Sequence, residues 1–312
     1  MTQILIFTFA MLFFCVAKAE VVDFVVPWAP GGTTDKVAQV ILTQAKPEFA
    51  KHNLTLNIVY KPGAGSLVGT NTVASAPAGT MQILVAGNTL VSTPIIMPDV
   101  ANYDITKDFV MLGYIGHVSM ITVVNTASGI RNIHDWKKAC AQQKLNYGTA
   151  GVGSNMHVSG IILNSLFGCT ATAIPYRGAA PAVTDLLGGH IDYISDYEAG
   201  VLPHINTGKF TAIVVLDKQR LSNLPNVPTI TELSQKEYSY YNWFALVGNS
   251  TADAEKLKIA QQVFSTVLSL PIVIEQLNNL GVRDQQPVPA NFLTAERRKY
   301  TQILRNATIN RQ

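Results

Sequence analysis

The chain has 312 residues, 48% hydrophobic and only 14% charged, against roughly 25% charged in an average soluble protein. That composition excludes a disordered chain and leaves room for two domains of ordinary size. A net charge of +3, with no basic stretch denser than Glu296–Lys299, gives no ground for a nucleic-acid partner, and none is expected.

The first predicted element is a signal peptide over residues 1–19. Ile4–Val16 is an apolar run too short for a stable membrane anchor, and Ala17-Lys18-Ala19 has the A-x-A form of a cleavage site. The segment "MTQ" before it lacks the usual Lys or Arg, and "LFF" before Cys15 does not resemble a lipidation site. No later segment is long and apolar enough to cross a bilayer. The expectation is a mature chain beginning at Glu20, exported and soluble in the periplasm.

"VVDFVVPW" (residues 21–28) reads as a strand, and Asp35–Ala45 as a helix with Val37, Val40, Ile41 and Ala45 on one face. Between them stands Pro30-Gly31-Gly32-Thr33-Thr34. Such a corner leaves backbone N–H groups free at a helix start, where the helix dipole favours an anion. Thr33 or Thr34 can cap the helix or donate a hydroxyl, and Asp35 falls in the first turn. A tight turn with an N-cap explains the corner equally well by itself.

The pattern recurs. Strand Leu54–Tyr60 leads into "KPGAGSLVGT", which opens a second helix, and strand Met81–Gly87 leads into "GNT". The βαβαβ order argues for a parallel sheet with helices on both faces. In such sheets ligands bind beyond the carboxyl ends of strands. "GAGSLVG" and the Tyr103…Lys107 pair hint at a short-chain dehydrogenase. The glycines follow the second strand, however, and the tyrosine sits in a Pro/Asp-rich loop, which together with export argues against a nicotinamide enzyme.

A second unit follows, with strands Met120–Asn125 and Leu145–Gly151, helix Asn155–Phe167, strand Ala171–Tyr176, helix Pro181–Leu187, and strands Ile191–Asp196 and Phe210–Leu216. "YGTAGVGSNMH" at 147–157 is its small polar corner; "GVGSN" lacks the second glycine of a nucleophile elbow. Cys140 and Cys169, the two cysteines left after export, are expected to form a disulfide, two buried free thiols being the alternative. Three helices end the chain, over Asp253–Leu268, Pro271–Leu280 and Ala290–Arg305. No flexible linker separates the units, which suits ordered hinge strands. The six histidines show no metal-ligand spacing; no metal or cofactor is expected, and His157 is a helix-surface or capping residue unless it faces the pocket.

The blocks "VVPWAPGGTTDKVAQVI", "VYKPGAGSLVGTNTVASAPAGT", "YDITKDFVMLGYIG", "YGTAGVGSNMHVSG", "IPYRGAAPAVTDLLGGHIDYISD" and "NTGKFTAIVVLDKQRLSNLPNVPTITEL" resemble the Bug-type periplasmic solute-binding proteins of tripartite tricarboxylate transporters. The resemblance covers nearly the whole mature chain. "GNTLVSTPIIM" departs from it in having Thr93-Pro94 where Asn-Pro is frequent, and "EYSYYNWFALVGNSTADAEKL" lacks the Pro-rich stretch after the tryptophan. The resemblance implies an α/β, two-domain type II periplasmic-binding-protein fold, a Venus flytrap with a two-strand hinge. Domain 1 is then assigned to residues 20–119 and 243–312, and domain 2 to 120–242. It implies a solute-binding function rather than an enzyme, a small carboxylate ligand, membrane transporter subunits as partners, and a monomer.

Carried over by position, the ligand-binding residues are Trp28, Pro30, Gly31, Thr34, Gly65, Asn88 and Thr89 in the first domain, with Gly32 added from the corner. In the second they are Thr149, Gly153, Ser154, Asn155 and Asp196. Asp196 either receives an ammonium group or hydrogen-bonds a neighbouring loop. Arg177 is read as a loop-bracing residue rather than the carboxylate partner. A sensor-type binding module and an exported enzyme are the competing functions; neighbouring genes for membrane subunits would separate transport from sensing.

Overall fold

In the first strand Val22, Phe24 and Val26 point to one face and Val25 to the other, and all four are buried. A strand apolar on both faces belongs inside a sheet covered on both sides, and that is where the computed structural model places it. The structure describes residues 19–235, 240–285, 289 and 291–306. The expected signal segment, including Cys15 and most of its cleavage site, lies outside the described residues, as does Ala290.

In chain order the strands and α-helices are β1 (Glu20–Val26), α1 (Thr33–Ala50), β2 (Leu54–Tyr60), α2 (Leu67–Ala74), β3 (Gln82–Gly87), α3 (Thr89–Ile96), β4 (Phe109–Val118), β5 (Met120–Asn125), α4 (Ile133–Gln142), β6 (Asn146–Thr149), α5 (Asn155–Phe167), β7 (Thr172–Pro175), α6 (Ala179–Leu187), β8 (Tyr193–Tyr197), α7 (Glu198–Asn206), β9 (Phe210–Val215), α8 (Ile230–Ser234), β10 (Asn242–Asn249), α9 (Ala254–Leu268), α10 (Pro271–Asn279) and α11 (Phe292–Asn306).

Two five-stranded sheets result, in the orders β2-β1-β3-β10-β4 and β7-β6-β8-β5-β9. Each has a parallel trio, β2-β1-β3 in one and β7-β6-β8 in the other. In each, the next strand runs antiparallel, β10 against β3 and β5 against β8. The chain passes from the first sheet to the second through Ser119 alone, between β4 and β5. It returns beside that crossing: the Leu216 N–H donates to the Met120 carbonyl at 2.8 Å, and the Tyr240 N–H to the Leu216 carbonyl at 2.7 Å.

One face of the first sheet packs on α1, α9 and α10 around Phe24, Ile41, Phe49 and Phe264; the Phe49 and Phe264 rings lie 5.3 Å apart. Its other face, through Val25, Leu84 and Val247, joins a core that runs on into the second sheet with Trp136, Tyr147 and Tyr193. One apolar core is thus shared by the two sheets.

The parallel trios and α5 follow the sequence reading closely. Helix α1 does not stop at Ala45: burial of Phe49 against Phe264 carries it to Ala50 despite Pro47 inside it. The reading did not separate out β4, α3, α4, α7, α8 and β10. β10 is buried at all eight positions, so it offers no period-2 alternation to detect. Cys140, in α4, and Cys169, just after α5, are disulfide-bonded with Cα atoms 5.4 Å apart.

Candidate ligand-binding cleft

A cavity of about 460 Å³ opens between the two domains. The first domain contributes the corner Trp28–Thr34 and Lys36; the second contributes Ser154–Met156, the start of α6 and the Asp196–Gly200 stretch. A wider hollow of about 600 Å³ runs beside Arg297, Arg298 and Arg305, but all its lining residues belong to the single helix α11. The interdomain cavity is walled from two sides, so it is the candidate site.

Four helices begin at this cavity: α1, α5, α6 and α7 each place N-terminal residues in its wall. The first N–H groups of a helix have no intrahelical partner and carry the positive end of its dipole. No side chain caps α1, α6 or α7, whose N-cap residues are Gly32, Gly178 and Tyr197. In α1 the first helical bond runs from the Lys36 N–H to the Gly32 carbonyl, so the amides of Thr33, Thr34 and Asp35 precede the ladder.

Neither Thr33 nor Thr34 caps α1, contrary to one of the roles the sequence offered for them; Gly32 holds that position. Nor is every amide of the corner free. The Gly31 N–H donates to Asp35 Oδ2 at 2.7 Å, while Asp35 Oδ1 accepts from the Tyr60 hydroxyl at 2.8 Å. Gly31 has φ +90°, so glycine suits the turn itself. Gly32 is extended, and a Cβ on it would have no atom nearer than 4.0 Å.

Ser154 caps α5, its hydroxyl accepting from the His157 N–H at 3.3 Å. That hydroxyl keeps its own proton for a second partner. His157 Nδ1 accepts from the Gly153 N–H at 3.2 Å, and burial lowers its pKa, so the ring is neutral and braces the loop. Asn155 is fully engaged. Its Nδ2 donates to the Tyr197 hydroxyl at 2.6 Å and to Asn242 Oδ1 at 2.8 Å, and its Oδ1 accepts from the Tyr240 hydroxyl at 3.0 Å.

Of the thirteen residues expected to bind ligand, the structure gathers Trp28, Pro30, Gly31, Gly32, Thr34, Ser154, Asn155 and Asp196 around the cavity. Gly65, Asn88, Thr89, Thr149 and Gly153 lie outside its wall. Gly65, at φ +61°, sits against the second domain, where a Cβ would lie 2.5 Å from the Val152 carbonyl oxygen. The Thr93 hydroxyl donates to the Gly65 carbonyl at 3.3 Å, and a Cβ on Gly153 would lie 3.2 Å from the Thr93 methyl group. Asn88 is buried; its backbone N–H donates to Asn242 Oδ1 at 3.2 Å and its Oδ1 accepts from the Trp243 N–H at 2.9 Å. Thr89 is buried at the start of α3, and Thr149 Oγ1 accepts from the Gly151 N–H at 3.2 Å. Gly65 and Gly153 thus sit where the two domains meet, whereas Asn88, Thr89 and Thr149 are buried beside their own strands.

The sequence reading passed over the wall formed by Gly178–Pro181, because it started α6 at Pro181 rather than Ala179. It also set aside Arg177. Arg177 and Lys36 both line the cavity, both are exposed, and neither forms an ion pair or hydrogen bond among the described residues. Asp196 is 5% exposed, and burial pushes its carboxyl up to about 6, opposed by the Tyr197 N–H that donates to Oδ1 at 2.8 Å. The site is therefore an amide-rich pocket with two unpaired cations and one buried acid. Among the described residues no group of His, Cys, Asp and Glu could hold a metal ion.

The family model for "Tripartite tricarboxylate transporter family receptor" matches residues 37–306. Among curated relatives, protein BugT of Bordetella pertussis is 25% identical over 297 residues, 92% of this chain and 89% of its own length. A protein of the TAR-I ttuE-ttuC' intergenic region of Agrobacterium vitis is 29% identical over 262 residues, 83% of this chain and 75% of its own. Among solved structures, periplasmic binding protein BugD superposes with a TM-score of 0.82 at 25% identity, covering 93% of this chain and 98% of that one. MatC of Rhodopseudomonas palustris with bound malate has a TM-score of 0.81 at 24% identity, covering 91% and 99%. The two-domain architecture is that of periplasmic binding proteins, and the matching family is one of transport receptors rather than enzymes. With the match spanning most of the sequence, this chain belongs to the tripartite tricarboxylate transporter receptor family.

Proposed function

We propose that the chain captures a small carboxylate in the interdomain cleft outside the cytoplasmic membrane and delivers it to the membrane subunits of a tripartite tricarboxylate-type transporter. The observation that carries the reading is the convergence of four helix N-termini, three of them without a side-chain cap, on one cavity. Each charge-assisted hydrogen bond from such amides to a carboxylate is worth about 1.5–3 kcal/mol. The fold neighbours support the chemistry: MatC holds malate, and Rpa4515 of R. palustris holds adipate.

The residues proposed to touch ligand are Trp28, Pro30–Thr34, Ser154, Asn155 and Asp196. Gly65, Asn88, Thr89, Thr149 and Gly153 are proposed to act at one remove, by setting how the domains meet. Bending at Ser119 and at the returning strand would open the cleft, with residues 20–119 and 243–312 moving against 120–242. Signal cleavage after Ala19 and a monomeric mature chain complete the proposal. Calorimetry of the mature chain against mono-, di- and tricarboxylates tests it. A saturable one-to-one heat with at least one carboxylate is expected; no binding across the series would overturn it.

A further inference from the structure

We propose that the ligand of the cleft carries a protonated nitrogen beside its carboxylate, and that Asp196 receives that nitrogen. The inference rests on the carboxylate reading given above. Asp196 lines the cavity on β8 yet is only 5% exposed. Its Oδ1 accepts from the Tyr197 N–H, and no other hydrogen bond and no ion pair to it forms among the described residues. Burial raises its pKa to about 6, so at neutral pH the group is still mostly ionised. A buried anion without a cation is destabilising. Lys36 and Arg177 line the same cavity but form no ion pair with it, so among the described residues no cation of the chain pairs with Asp196 and a ligand's cation can take that place.

Gly200 points the same way. It lies inside α7, where its backbone has no need of glycine and where glycine is a poor helix former. A Cβ there would sit 2.3 Å from Asp196 Oδ2. The bare position keeps Oδ2 unobstructed beside the cavity wall to which Gly200 itself belongs. The helix starts favour an anion, whereas a ligand carrying only negative charge would meet the Asp196 charge within the same 460 Å³. A molecule with separated carboxylate and ammonium groups suits both.

Calorimetry of the mature chain at pH 7.5 with three matched pairs decides it: L-aspartate with succinate, L-glutamate with glutarate, and 4-aminobutyrate with butyrate. At least one amino compound should bind about tenfold or more tightly than its plain partner. Asp196→Asn should bring that ratio to near one while the protein still melts cooperatively. Gly200→Ala, which keeps the charge but crowds Oδ2, should lower the ratio as well. Plain carboxylates binding as tightly as their amino partners would overturn the inference, as would a ratio that survives Asp196→Asn. So would plain dicarboxylates that tighten with proton uptake as pH falls from 8 to 5, since Asp196 would then be taking a proton instead. Each of these results leaves the carboxylate cleft standing. If neither series binds, the carboxylate reading fails and this inference fails with it.

Discussion

Asn155 Nδ2 donates to Asn242 Oδ1 across 2.8 Å, joining the start of α5, beside the second sheet, to the first residue of β10 in the first sheet. The same Asn242 oxygen accepts the Asn88 N–H, and Asn155 Oδ1 accepts the Tyr240 hydroxyl. Bonds through Asn155, Asn242 and Asn88 therefore link the two sheets beside the cavity, with Tyr240 bonded to the same Asn155. Asn155→Ala should remove three hydrogen bonds, costing about 1 kcal/mol each. Urea denaturation should show the loss, and scattering should show a more open unliganded protein. An unchanged midpoint and radius of gyration would mean that the interlock contributes nothing to closure.

Gly31 and Gly32 are neighbours in the corner, but glycine serves a different purpose at each. Gly31 needs its φ of +90°, whereas Gly32 has an ordinary extended backbone and open space where a Cβ would stand. Gly31→Val should destabilise by about 1–3 kcal/mol through backbone strain. Gly32→Val should melt within about 0.5 kcal/mol of the parent, as surface substitutions usually do, yet lose most carboxylate binding because the side chain stands in front of the helix amides. Measuring melting and affinity on both variants separates the two effects. Parent-like affinity in Gly32→Val would sink the amide-capture mechanism.

Lys36 and Arg177 have no ion-pair or hydrogen-bond partner among the described residues and sit in the cavity wall. Exposed charges act mainly on encounter, within a Debye length of roughly 10 Å at 0.1 M salt. The Lys36→Ala, Arg177→Ala double variant should associate several-fold more slowly than the parent at low ionic strength, and the gap should close by about 1 M salt, where the Debye length is near 3 Å. Stopped-flow association rates across a salt series check this. A large rise in dissociation rate instead would make one of them a direct carboxylate ligand, which the sequence reading of Arg177 disfavoured.

The Cys140–Cys169 bond closes a 29-residue separation within the second domain. Replacing both cysteines with serine should lower stability by about 3–4 kcal/mol on the chain-entropy account. Carboxylate affinity should be unchanged, because neither cysteine lines the cavity. Thiol titration of the unfolded, unreduced parent should find none free.

The corners were legible in the sequence because strand, glycine and helix signals follow one another in a few residues, and Pro30–Thr34 and Ser154–Asn155 do stand in the cavity wall. What no local pattern could give is how the corners are aimed. Gly65 and Gly153 look like ligand corners, yet each packs beside Thr93 at the domain seam. Asn88 stands in the "GNT" corner and was expected to bind ligand, yet its side chain is committed to β10, more than a hundred residues away in the chain. β10 itself was missed because burial on both faces erases the alternation that marks a strand. Partnerships of that kind depend on tertiary contacts, which short-range periodicity does not encode.

Asp196 gives the last prediction, and its sign follows from the direction of its shift. Burial raises the folded-state pKa from 3.8 to about 6, so the folded protein holds this proton more tightly than the unfolded chain. The stabilising effect of the bound proton is fully present below the unfolded value. It is lost as pH rises through about 6. At pH 7 the ionised, unpaired carboxylate then costs roughly 3 kcal/mol, taking 1.36 kcal/mol per pKa unit. Asp196→Asn should therefore be more stable than the parent at pH 7 and about equal to it near pH 4, so the two denaturation curves separate as pH rises. If they stay parallel from pH 4 to 7, Asp196 is better solvated than its burial implies. A group that weakens the empty protein at neutral pH, kept clear by a helical glycine, has a role in ligand capture that stability alone would not explain.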